Sequence, residues 1–238
     1  MLGTWVNCAA VILGSAVGLI VKKGLSERVN TAVMNALALC VMYIGISGAF
    51  ECQNILVVIL SMAIGTLIGE GLDLDKRLNR LGDFLEAKVS KNGEKGSVSK
   101  GFVAASLLFC VGAMTIVGSL QSGISGNHET LFAKSLIDCF AAMVLASTMG
   151  FGVMLSAAFV LVYQGTITLC AGFLEPVLTE VIIAEMTCVG SLLIVGLSLN
   201  MLKITKLKVM NFVPAIFLPM AFYWGIELYN YVLKEFVL

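Results

Sequence analysis

Apolar runs about as long as a hydrocarbon core is thick follow one another along almost the whole chain. A helix of roughly 20 apolar residues can cross a bilayer, because all its backbone N–H and C=O groups are bonded within the segment. The runs are Leu2–Val21, Val29–Phe50, Asn54–Leu72, Gly101–Leu120, Leu131–Thr148, Phe151–Leu174, Val177–Leu199 and Asn211–Leu233. They predict an all-α polytopic membrane protein of about eight spans. Charged residues make up 13% of the chain and mean hydropathy is +0.99. Too few charges remain to cover a soluble surface, where roughly a quarter of residues are charged. A transmembrane β-barrel does not fit either, since its strands alternate over about ten residues.

The second feature is an apparent doubling. Gly65-Thr66 in ILVVILSMAIGTLIGEGLDL lies over Gly165-Thr166 in FVLVYQGTITLCAGFL. The Gly-Ser pair at 14–15 lies over 118–119, and Gly24–Gly48 lies over Gly126–Gly150 without a gap, matching Glu27 with Glu129. Spans one to three then correspond to spans four to six. Two halves with an odd number of spans must sit inverted to one another, as in many secondary transporters. The expected organisation is a first repeat over 1–72, a cytoplasmic amphipathic helix and linker over 73–100, a second repeat over 101–174, and two further spans over 175–238. In the polar segment, Leu74, Leu78, Leu81 and Leu85 recur at helical spacing, and SKNGEKGSVSK reads as flexible linker.

Basic residues set the expected orientation. With the N-terminus outside, thirteen of the fifteen Lys and Arg residues fall in inner loops, and Lys134 and Lys234 do not. The first run starts without a basic leader, so no cleavable signal is expected. Zero net charge gives no nucleic-acid footprint. The single histidine, His128, rules out a histidine-rich metal site, and the sequence assigns no metal. The seven cysteines form no CxxC pair and read as small packing residues. No phosphate-binding GxxxxGK[ST] is present, nor any Ser–His or Cys–His arrangement for hydrolysis. An enzyme is not expected, nor a bound cofactor.

Polar groups inside spans are the candidate site, because a charge at a helix centre costs about 2.5–3.5 kcal/mol on insertion scales. Glu185, about eight residues into its run with Thr187 beside it, is either a proton or cation site or a carboxyl bonding a neighbouring helix. Asp138 lies one turn after Lys134, so a local ion pair competes with a site role. Gln164, before Gly165 and Thr166, suits exposed backbone lining a cavity or a bond between helices. Thr66 is the repeat partner of Thr166. Glu70, near a span end, is able to reach water. Asn35 lies near the repeat position of Asp138, and Asn7 and Asn35 otherwise read as packing amides. Asn211 is placed to cap the last span.

The phrases GTWVNCAAVILGSAVGL, IGTLIGEGLDLDKRLNRLGDFL, FCVGAMTIVGSLQSGISG, KSLIDCFAAMVLASTMGFGVMLSA, VYQGTITL and GLSLNMLKITKLKVMNFVPAI resemble the YdfK-like group of prokaryotic inner-membrane proteins, catalogued as a domain of unknown function. The resemblance spans nearly the whole chain. It implies a bacterial or archaeal cytoplasmic membrane and no established substrate. The residues themselves suggest a secondary transporter for a small polar solute or cation, possible as a homo-oligomer among membrane lipids and coupled to protons or sodium. The alternatives are an ion channel and a non-transporting scaffold or sensor. The charge distribution predicts that impermeant amine labels reach Lys22 and Lys206 from the same face of sealed vesicles. Labelling from opposite faces would overturn this topology.

Overall fold

A computed structural model of the chain describes residues 1–22, 26–77, 80, 97–111 and 113–225. The described residues are helical and contain no strand. In order they form α1 (Leu2–Lys22), α2 (Glu27–Ala49), α3 (Ile55–Leu72), α4 (Ser97–Cys110), α5 (Ala113–Ile124), α6 (Glu129–Met149), α7 (Gly152–Leu169), the short α8 (Ala171–Leu174), α9 (Glu180–Met201) and a 3-10 helix (Val209–Phe217). Helical structure continues from the 3-10 segment to Gly225. Leu78, Leu81 and Leu85 of the expected amphipathic helix lie outside the described residues. So do the start of the expected linker and residues 226–238.

Six helices are long and apolar enough to cross a membrane: α1, α2, α3, α6, α7 and α9. The count rises to seven if α4 and α5 make one span; they are bent by 62°. The single straight fourth span expected from sequence is therefore two helices. The α6 and α7 spans are separate. Gly150, with φ +84°, makes the turn between them, a conformation that costs glycine nothing. The eighth expected span begins as 3-10 backbone, with Pro214 inside it. Pro has no N–H to donate and clashes with the preceding turn of an α-helix, which disfavours a regular start.

Glycines determine which helices pair. In lipid there is little hydrophobic drive between spans, so close backbone approach and dispersion hold them. On α1, Gly3 lies against Leu131, Gly14 against Cys139 and Gly18 against Met143 of α6. The numbers rise together, so α1 and α6 run parallel. Gly45 and Gly48 of α2 meet Val195 and Ser191 of α9, and here the helices are antiparallel. Gly65 and Gly69 of α3 meet Ala215 and Asn211 of the 3-10 segment, also antiparallel. α4 and α7 run the same way, with Val98 against Gly152 and Phe102 edge-on to Phe159.

α9 is the central helix: 78% of its apolar stretch is buried, against 17% for α2 and 22% for α3. The outward faces of α2 and α3 carry Leu39, Tyr43, Ile59, Leu60 and Leu67, all exposed, as a lipid-facing surface requires. Lys22 lies beside the α6–α7 turn, and Lys208 reaches Glu70 at the end of α3. Lys22, Arg28, Lys100, Lys203, Lys206 and Lys208 thus gather towards one end of the bundle. Asn211 does not cap its own helix: its Oδ1 accepts the Asp75 N–H at 2.7 Å, closing the turn after α3.

A side chain at Gly14 or Gly65 would run into partner backbone. Overpacking of a core costs about 1–3 kcal/mol, so Gly14→Leu and Gly65→Leu are expected to lower the melting temperature in detergent clearly. Gly71→Leu, with nothing within 4 Å of the added Cβ, is expected to leave it unchanged. Equal melting of all three proteins would contradict this packing.

Candidate functional site

The bundle buries an ion pair. Lys134 and Asp138 are one turn apart on α6, and the Lys134 Nζ donates to both carboxylate oxygens at 2.8 and 2.7 Å. Their side chains are 8% and 5% exposed. The local pairing that their spacing suggests is therefore present. It is also extended: Asn7 of α1 donates from Nδ2 to Asp138 Oδ2 at 2.9 Å. Charges withdrawn from water are tolerated only when paired and hydrogen-bonded. Sequence spacing could not reveal Asn7 as a partner, because the bond joins residues 131 positions apart. Cys110, at the end of α4, lies within electrostatic reach of Lys134 and Asp138.

The broken α4–α5 pair packs on the same helix as this ion pair, with Gly118 of α5 against Leu131, about one turn before Lys134. At the end of α4 the Val111 N–H still reaches Leu107 O at 2.9 Å. The Thr115 hydroxyl of α5 donates back to Phe109 O at 3.0 Å, satisfying one carbonyl that the end of α4 leaves free. Val111 itself packs against Gly190 at the middle of α9. A side chain at 190 would occupy the space that the bend uses.

Several buried polar atoms on α4, α5 and the helices packed against them have no hydrogen-bond partner among the described residues. They are Asn7 Oδ1, Ser106 Oγ of α4, Ser119 Oγ of α5, and both Gln164 Nε2 and Oε1 of α7. Gln164 is fully buried. On α7 it lies between Phe159, which meets Phe102 of α4, and Thr168, which meets Gly123 of α5. That is the stretch of α7 passing the break. Each buried polar group left unbonded costs about 1–3 kcal/mol. The five such atoms, carried by four helices, are donors and acceptors of the kind a small polar solute would use.

Glu185 is also fully buried, but in another place. Its Oε1 accepts the backbone N–H groups of Gln53 and Asn54 at 3.0 and 2.5 Å. It thus joins α9 to the turn that starts α3, where a carboxylate also suits the helix dipole. α9 begins at Glu180, so Glu185 stands five residues in, roughly 8 Å along at 1.5 Å per residue. That is shallower than its place in the apolar run suggests. Glu185 Oε2 and Thr187 Oγ1, both buried, have no partner among the described residues.

The remaining sequence candidates lie apart from both places. Glu70 is exposed and pairs with Lys208 at 3.5 Å. Thr66 bonds its own helix at Met62 O, 2.6 Å away. Thr166 is exposed, whereas its neighbour Thr168 is buried and bonds Thr4 at 3.4 Å. Asn35 is exposed on α2. The structure therefore brings Asp138 and Gln164 to the α4–α5 region and puts Glu185 and Thr187 near the α2–α3 turn. Sequence reading missed Ser106, Thr115 and Ser119, since small hydroxyls are unremarkable in a span; the signal available was Gly112 within the fourth run.

Removing one member of a buried ion pair costs about 3–5 kcal/mol, while replacing both by apolar groups is often neutral. Lys134→Met and Asp138→Leu are each expected to destabilise strongly, and the double variant to recover most of the loss. The check is unfolding of the four proteins in detergent. Additive losses would show that the pair is not the unit.

Two relatives match over nearly their whole length. It is 32% identical over 223 residues to the uncharacterized membrane protein YdfK of Bacillus subtilis, covering 92% of this chain and 94% of that protein. It is 30% identical over 223 residues to the uncharacterized protein YqgA of Escherichia coli, covering 92% and 95%. No solved structure matches. Residues 2–224 match the protein family of unknown function DUF554, and with that match over nearly its whole length the chain belongs to this family of uncharacterised proteins.

Proposed function

We propose that this membrane protein is a secondary transporter for a small polar solute or cation, driven by protons or sodium, whose transport step involves no covalent chemistry. The observation that carries the reading is the discontinuous α4–α5 helix, together with buried polar atoms on it and on neighbouring helices that have no partner among the described residues. Transporters commonly place substrate where a span is interrupted, because backbone freed from helix bonding there can bind a solute or ion. Gln164 offers a donor and an acceptor, Ser106 and Ser119 offer hydroxyls, and Asn7 Oδ1 accepts. Asp138, held by Lys134 and Asn7, is the group whose protonation or cation binding would loosen the α1–α6 contact.

The same reading includes eight crossings, two inverted three-helix repeats and an N-terminus outside the cytoplasmic membrane of a prokaryote. Supporting it, α1 and α6 run parallel while α2–α9 and α3–209–217 run antiparallel, as eight alternating crossings demand. The basic residues at one end suit the cytoplasmic face. In the repeats, α1–α3 correspond to α4–α5, α6 and α7–α8. A homo-oligomer fits this account but is not needed by it.

The test is a thermal-shift screen of purified protein against amino acids, organic acids and sodium. A ligand at a hundred times its dissociation constant stabilises by about 2.7 kcal/mol. The expected result is a stabilising solute whose effect disappears in Gln164→Leu while the unliganded protein stays folded. A solute that stabilises wild type and Gln164→Leu equally would move the site elsewhere. No stabilising solute, together with no uptake into proteoliposomes, would favour a scaffold.

A further inference from the structure

The α2–α3 turn is fastened to α9 at two neighbouring points. At one, Glu185 Oε1 accepts the N–H groups of Gln53 and Asn54. At the other, the Cys188 thiol donates to Ala49 O at 3.3 Å. Cys52 lies between Ala49 and Gln53 in the chain, packs against the core, and is partly accessible, whereas Cys188 is 2% exposed. The residues on either side of Cys52 thus hold it against the stretch of α9 that carries Glu185 and Cys188, and its thiol lies within electrostatic reach of both. Glu185 Oε2 is buried and unpartnered among the described residues. Cysteines 136 positions apart in sequence are thus brought to one carboxylate, which no CxxC spacing announced.

We propose that Cys52 and Cys188 form a dithiol–disulfide exchange site, oxidised by a small or protein disulfide and closing a covalent link between the α2–α3 turn and α9. Cys52, the accessible thiol, loses its proton to Glu185 Oε2, and its sulfur attacks one sulfur of the partner disulfide. A mixed disulfide forms and one partner thiolate leaves. Cys188 then attacks the Cys52 sulfur, giving the Cys52–Cys188 bond and releasing the second partner thiolate. The two protons from the cysteines end on the two partner thiolates. The chain loses two electrons and the partner gains them. Burial, and then the negative charge of Glu185, hold the Cys52 thiol above its ordinary range. The resting pair is therefore the thiol form and needs an exchange partner to react at a useful rate.

This site stands apart from the α4–α5 region and does not depend on the transporter reading. The experiment uses the full chain in detergent with oxidised glutathione as the probe, followed by denaturation, alkylation and peptide mapping. The expected result is loss of two of the seven alkylatable thiols, a peptide pair cross-linked through 52 and 188, and reversal by dithiothreitol. Cys52→Ser and Cys188→Ser should each abolish the cross-link, and neither should change the other five thiols. Cys52 carrying glutathione with no 52–188 link, or both thiols still alkylated after treatment, would overturn the proposal.

Discussion

An ammonium and a carboxylate withdrawn from water together, with an amide to complete them, hold the heart of this bundle. Lys134 and Asp138 would be prohibitive apart in a hydrocarbon setting. Together they are tolerated, and Asn7 ties them to a second helix. The consequence is geometric. α1 must stay parallel to α6 and close to it, and only glycines at 14 and 18 permit that distance. The polar bond and the small residues specify the same contact.

The rest of the fold builds outward from this arrangement. α9 takes the centre, and the bent α4–α5 pair rests Val111 on its Gly190. One continuous helix in place of α4 and α5 would have satisfied its own backbone. The chain instead interrupts it and gathers hydroxyls and amides nearby, several without partners among the described residues. Local irregularity of this kind costs free energy and persists where the surrounding structure enforces it. α2 and α3, by contrast, are peripheral and turn most of their surface to lipid.

Much of this was legible in the residues. Span positions follow from hydropathy, and every long helix falls within a few residues of its expected bounds. The Lys134–Asp138 pair follows from one-turn spacing. What was not legible depends on contacts between distant segments. Asn7 reads as an ordinary packing amide until α1 is placed beside α6. Glu185 reads as a deep lone charge until the α2–α3 turn is seen to supply two N–H groups to it. Thr66 and Thr166 drew notice through the apparent doubling, but one bonds its own helix and the other is exposed. The break in the fourth span was hidden because its composition is as apolar as that of its neighbours, and periodicity carries no term for a bend.

The central claim is that a solute can reach the polar groups beside the α4–α5 break. The most direct measurement is reaction of Ser119→Cys with a small water-soluble thiosulfonate in proteoliposomes, on a background with the seven native cysteines replaced and the folded state verified. The account predicts labelling from the aqueous phase, slowed by any solute found to stabilise the protein. Complete protection from both faces, in a protein that remains folded, would contradict it.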